Sequence, residues 1–137
     1  MHSFLSFINE STSPKSHPEW EEVRLAMKLK KIPQFTRKEF AEKISSGKTV
    51  YKRKFKNIEN TDAGSITSLR KARNLFKKYG KGSSEDFNSL VTAVKNRETP
   101  PIIIYREENR KYLVGGNTRA MIASALGIRH PVKYLTK

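Results

Sequence analysis

The sequence predicts an α+β fold, a small mixed sheet with helices packed on it. Three observations carry this expectation. Pro101 to Tyr105 (PIIIY) is a short apolar run of the buried-strand type, and a polar turn separates it from a second short strand at Lys111 to Val114. Two other segments repeat apolar residues at helical spacing, Phe87, Leu90, Val91 and Val94 in one, Met121, Ile122, Ala125 and Leu126 in the other. At 137 residues and 36% hydrophobic, the chain fits one compact domain with a single core.

Residues 1–17 read as a flexible or peripheral segment, because the Ser/Thr/Pro run after Asn9 has no periodicity. Residues 18–137 then form the domain, with a basic N-terminal helical extension. Pro18 suits a first helical turn, and Trp20, Val23 and Met27 recur at helical spacing until Pro33 ends the segment. Thr36 and Glu39 make a capping box, with Phe35 and Phe40 placed as a hydrophobic staple, so a helix should run to Ser46 and stop at Gly47.

Thr49 to Ile58 (TVYKRKFKNI) reads as an extended basic ribbon, with Tyr51 and Phe55 on one face and Lys52, Lys54 and Lys56 on the other. Ser65 is placed to cap a helix carrying Ile66, Leu69, Ala72, Phe76 and Tyr79, whose outer face holds Arg70, Lys71, Arg73, Lys77 and Lys78. Gly80 to Ser84 breaks it, and a helix over Asp86 to Asn96 follows. After the hairpin, Gly115 and Gly116 precede a helix capped by Asn117 or Thr118 that runs through Leu126 to Gly127, and Val132 to Leu135 supplies a last strand.

Charge is the most unusual bulk property. There are 28 Lys and Arg against 13 Asp and Glu, a net of +15. The excess is concentrated: Met1 to Val23 nets −3, Arg24 to Lys81 nets +14 and Gly82 to Lys137 nets +4. Nucleic acid is the partner this favours, through Lys52, Arg53, Lys54, Lys56, Arg70, Lys71, Arg73, Lys77 and Lys78; the bland alternative is a solvated face. The absence of cysteine excludes disulfides, thiolate metal sites and a nucleophilic thiol. No apolar run approaches a membrane span and no leader pattern is seen, so a soluble, intracellular protein is expected.

The strand, glycine turn and helix have a chemical use. Gly115 and Gly116 let the backbone approach an anion, the helix start offers unpaired N–H groups, Asn117 and Thr118 add side-chain polarity, and an exposed Arg119 presents a planar fork to phosphate oxygens. The competing reading pairs Arg119 with Glu107 or Glu108 as a structural contact. Neither these carboxylates nor Asp86 and Glu98 have metal-motif spacing, and His2, His17 and His130 are scattered.

Phe87 to Leu135 resembles the ParB/sulfiredoxin superfamily. Pro101 with Ile102 to Ile104 matches its first strand, Tyr112 to Val114 its second, Gly116 to Arg119 its G-x-x-R turn, and Pro131 to Leu135 its closing strand. The resemblance implies that Gly115, Gly116, Asn117, Thr118 and Arg119 bind phosphate, in a nucleic-acid-binding ParB-like protein or a DNA-nicking nuclease. An alternative within the superfamily is a nucleotide-dependent phosphotransferase or NTPase, with a nucleoside triphosphate and Mg as its cofactors; another is a non-catalytic accessory protein. Asn117 stands where sulfiredoxins hold their catalytic cysteine, which excludes sulfinic-acid reduction. Chromosome-partitioning relatives have G-E-R-R at this turn, and the serine-phosphorylating members D-G-H-T-R, where this chain has Gly115 in place of the acid.

Overall fold

The computed structural model describes residues 19–137, so the reading of residues 1–17 and of Pro18 lies outside the described residues. The elements are α1 (Trp20–Lys28), α2 (Arg37–Ser46), β1 (Thr49–Lys52), a 3-10 turn (Ala63–Ser65), α3 (Leu69–Lys78), α4 (Ser84–Lys95), β2 (Ile102–Glu107), β3 (Arg110–Gly115), α5 (Asn117–Leu126) and β4 (His130–Leu135). The four strands lie in the order β1-β4-β2-β3. Strands β2 and β3 form the antiparallel hairpin, β4 returns parallel to β2, and β1 closes the other edge antiparallel to β4. The α+β class and the mixed sheet expected from the sequence are therefore what the chain forms.

Alternation along the central strands sorts the core into two layers. Ile102, Ile104, Leu113 and Val132 face a cluster with Ala72, Phe76, Phe87, Val91, Val94, Met121 and Ile122, contributed by α3, α4 and α5. Ile103, Tyr105, Tyr112, Val114 and Leu135 face the opposite cluster, with Trp20 and Val23 of α1 and Phe40 and Ile44 of α2. Successive strand residues point to opposite faces, so a run of three isoleucines is stable only where both faces are covered. All three are at most 1% exposed. The N-terminal helices are thus one of the two covers of the sheet, where the sequence suggested only an extension.

Several local expectations are corrected. The strand of the basic ribbon ends at Lys52, after which Phe55 and Ile58 turn into the α3–α4–α5 layer while Tyr51 stays 55% exposed. Tyr51 and Phe55 do not share a face. Helix α3 begins at Leu69 with Ser68, whose hydroxyl accepts from the Lys71 amide; Ser65 instead closes the 3-10 turn, which delivers Ile66 to the core without making it helical. Helix α4 is longer than expected, because Ser83 and Asp86 form a reciprocal capping box. The box predicted at Thr36 and Glu39 is present, with both hydrogen bonds made. Of the expected core, Leu90 and Leu126 are half-buried and pack on its margin.

Candidate nucleic-acid interface

The glycine turn joins β3 to α5. Gly116 sits at φ 100°, a left-handed conformation that glycine adopts without strain, and it is the N-cap residue; neither Asn117 nor Thr118 fills that role. Asn117 begins the helix and turns its side-chain oxygen to the preceding loop, where it accepts from the Thr61 hydroxyl at 2.5 Å and from the Asp62 amide at 3.3 Å. Among the described residues no side chain caps α5, so its first amides open on a cleft of about 350 Å³ lined by Glu22, Asn60, Lys81, Gly116, Asn117 and Thr118. Lys81 escaped the sequence reading, since it lies in a glycine-rich break with no periodicity to place it.

Arg119 is where expectation and structure part. Its side chain is 7% exposed; it donates to the Glu19 carboxylate at 2.5 Å and to the carbonyls of Pro100 at 2.5 Å and Pro101 at 3.3 Å. The exposed Arg119 expected to grip a phosphate is corrected: its fork is committed inside the protein, because α5 starts one residue past Gly116 and turns position 119 beneath the turn. The acid that holds it is Glu19, neither Glu107 nor Glu108. Both glycines serve this pair. A Cβ at Gly115 would collide with Glu19 Oε2, and one at Gly116 would come within 2.8 Å of the Arg119 Nη2. The backbone does admit an anion closely here, and that anion is the chain's own Glu19. Nothing in the sequence marks Glu19 for this, as it lies 100 residues from its partner.

His130 is also buried, at 2% exposure. Its Nδ1–H donates to the Pro131 carbonyl at 2.9 Å, which leaves Nε2 to accept from the Thr99 hydroxyl at 2.6 Å. Burial lowers its pKa to about 4, and the Arg119 charge adds to the effect, against the Pro131 bond, which favours the protonated ring. Among the described residues no group of three or more His, Asp or Glu is placed to hold a metal ion, and no helix is long and apolar enough to cross a membrane.

The basic residues form a second, separate feature. Arg53, Lys54, Lys56, Arg70, Lys71, Lys77 and Lys78 are exposed, and Lys52 and Arg73 are half-buried. None of the nine pairs with an acid among the described residues. Between Lys52 and Lys81 the only acids are Glu59 and Asp62, and both are engaged elsewhere. Glu59 accepts from Arg110 at 2.7 Å, and Asp62 accepts a hydrogen bond from the Tyr79 hydroxyl, which raises the tyrosine pKa. The structure places these cations around α3 and the segment before the 3-10 turn, distinct from Arg119. Compared with protein-family models, with curated proteins and with solved structures, the chain matches none.

Proposed function

We propose that this chain is a nucleic-acid-binding protein of the ParB/sulfiredoxin type, which holds the phosphate backbone through the basic segment after β1 and the outer face of α3. One observation carries the reading: nine cations stand exposed or half-buried with no acid partner among the described residues, while the two acids of the same stretch are bonded to other groups. A surface built for solubility intersperses both signs of charge. Unpaired cations of one sign repel each other, and a polyanion relieves that repulsion while releasing its own counterions. The order β2, β3, glycine turn, α5, β4 follows that of the superfamily and supports the family part of the proposal. The phosphate contacts fall to the basic segment, since Arg119 is held by Glu19.

Fluorescence anisotropy with labelled DNA and RNA, at salt concentrations of about 50 and 200 mM, tests this directly. Affinity should fall steeply between the two, with little dependence on sequence, and a triple variant with Lys52→Glu, Lys54→Glu and Lys56→Glu should lose binding while keeping its melting temperature. Salt-independent affinity, or an unaffected triple variant, would leave the cations as a solvated face.

A further inference from the structure

A second cleft, of about 450 Å³, opens at the far end of α5 from the glycine turn. Its volume is within the ~300–1,000 Å³ typical of small-molecule sites. The lining has two chemistries. Arg53, Lys54 and Lys56 bring exposed positive charge, whereas the half-buried Ala125 and Leu126 bring apolar surface. A third element is polar. The helix end is partly closed by Gly127 N–H donating to the Ser124 carbonyl at 3.2 Å and Ile128 N–H to the Ala123 carbonyl at 3.1 Å, but the carbonyls of Ala125 and Leu126 receive no hydrogen bond from the described chain. Those two oxygens can accept from a ligand. Gly127 stands beside them, and a Cβ there would meet no atom of the described residues within 4 Å, which leaves the approach open on that side.

An occupant that uses all three has an apolar face, carries N–H donors on its edge, and bears negative charge close by. A nucleotide has those properties. We infer that the cleft receives one unpaired base of a single-stranded nucleic acid, with the base over Ala125 and Leu126, its edge donors toward the α5 carbonyls, and the flanking phosphates on Arg53, Lys54 and Lys56. A base-paired duplex turns its bases inward and offers this concave site only phosphate, so the apolar lining and the carbonyls would go unused. The cations belong to a longer unpaired basic course, which favours a strand over a free nucleotide, because a mononucleotide engages only the charges at the cleft. This inference rests on the proposed nucleic-acid binding and adds to it a preference for single strands.

The experiment uses the full chain and a labelled oligonucleotide of about 15 nucleotides, alone or annealed to its complement, with an unlabelled mononucleotide as competitor. Two substitutions fill the cleft without changing charge: Ala125→Leu on the helix, and Thr67→Ile on its exposed rim. The single strand should bind about tenfold tighter than the duplex. Either filled variant, at an unchanged melting temperature, should lose most of that tenfold while duplex affinity and salt dependence stay level. Equal affinity for the two forms, or filled variants indistinguishable from wild type, would overturn the base-binding cleft and leave backbone binding standing. Displacement of the strand by micromolar mononucleotide would also overturn it, in favour of a free nucleotide. Failure to bind either form would remove the proposed function itself.

Discussion

Arg119 and Glu19 depend on each other, since each is the ion-pair partner of a charge that is nearly buried. Burying two charges is costly, and their attraction offsets that cost only while both are present. Arg119→Ala should therefore lower stability by about 3–5 kcal/mol, and Glu19→Ala by a similar amount, because each takes the ion-pair partner from a buried charge. Urea unfolding of the two single variants and the double variant measures this; the double should cost clearly less than the sum. A stability change within about 0.5 kcal/mol for Arg119→Ala, the usual range for a surface substitution, would return the arginine to the surface role read from sequence. Gly115→Ala should be destabilising for a related reason, as its methyl takes the space of the Glu19 carboxylate. His130 adds a pH dependence. The folded ring titrates at about 4 and an unfolded histidine near 6.5, so between these values the unfolded chain binds more protons and stability falls as the pH drops. The full loss is about 3 kcal/mol, complete once the pH is below 4. Above 6.5 this group contributes no slope. Comparing unfolding free energies at pH 7 and pH 4.5 for wild type and His130→Asn isolates it, and an identical pH slope in the two proteins would contradict the assignment.

At the scale of elements, the ends of helices are the most direct test of what the sequence encodes. Ser68→Ala should cost about 1 kcal/mol, because it removes the acceptor of the Lys71 amide, whereas Ser65→Ala should remove no helix cap. Equal losses from the two in thermal unfolding would mean α3 starts earlier than Leu69. The sequence misplaces this start for a physical reason: Ile66 lies three residues before Leu69, so helical periodicity continues backward through a 3-10 turn that buries the same side chain. The box at Thr36 and Glu39 and the strand at Pro101 to Tyr105 were legible, since local hydrogen bonding and an unbroken apolar run each determine one conformation. What covers the far side of that strand was not. The stripe of Trp20, Val23 and Met27 shows that α1 must be covered on one face, but not that Ile103 and Val114 share its layer. The glycine turn was legible as strand, turn and helix; its contents were not, because the decisive contact comes from Glu19, where no local pattern points.

For the whole molecule, the question is whether the cations act as one surface. Asn117 accepts from the Asp62 amide, and Asp62 in turn accepts from the Tyr79 hydroxyl, which brings the end of α3 to the start of α5. Thr67, just before α3, lines the same cleft as Leu126 at the end of α5. The two helices therefore run in opposite directions, and each ten-residue helix spans about 15 Å. Arg53, Lys54 and Lys56 lie at one end of that span, Lys77 and Lys78 close the other, and Lys71 lies along α3 between them. A nucleic acid that bridges both ends engages the two groups together. The salt dependence then reports a sum, since each phosphate contact contributes about 0.9 to the log-log slope for duplex DNA and about 0.7 for a single strand. Replacing Arg53, Lys54 and Lys56 with Gln should lower the slope by about 2.7 on duplex and about 2.1 on a single strand, and replacing Lys71, Lys77 and Lys78 should do the same. The sixfold variant should lose both amounts. If only one set of three changes the slope, the nucleic acid occupies one end of the α3–α5 layer, and the cations at the other end serve a different contact.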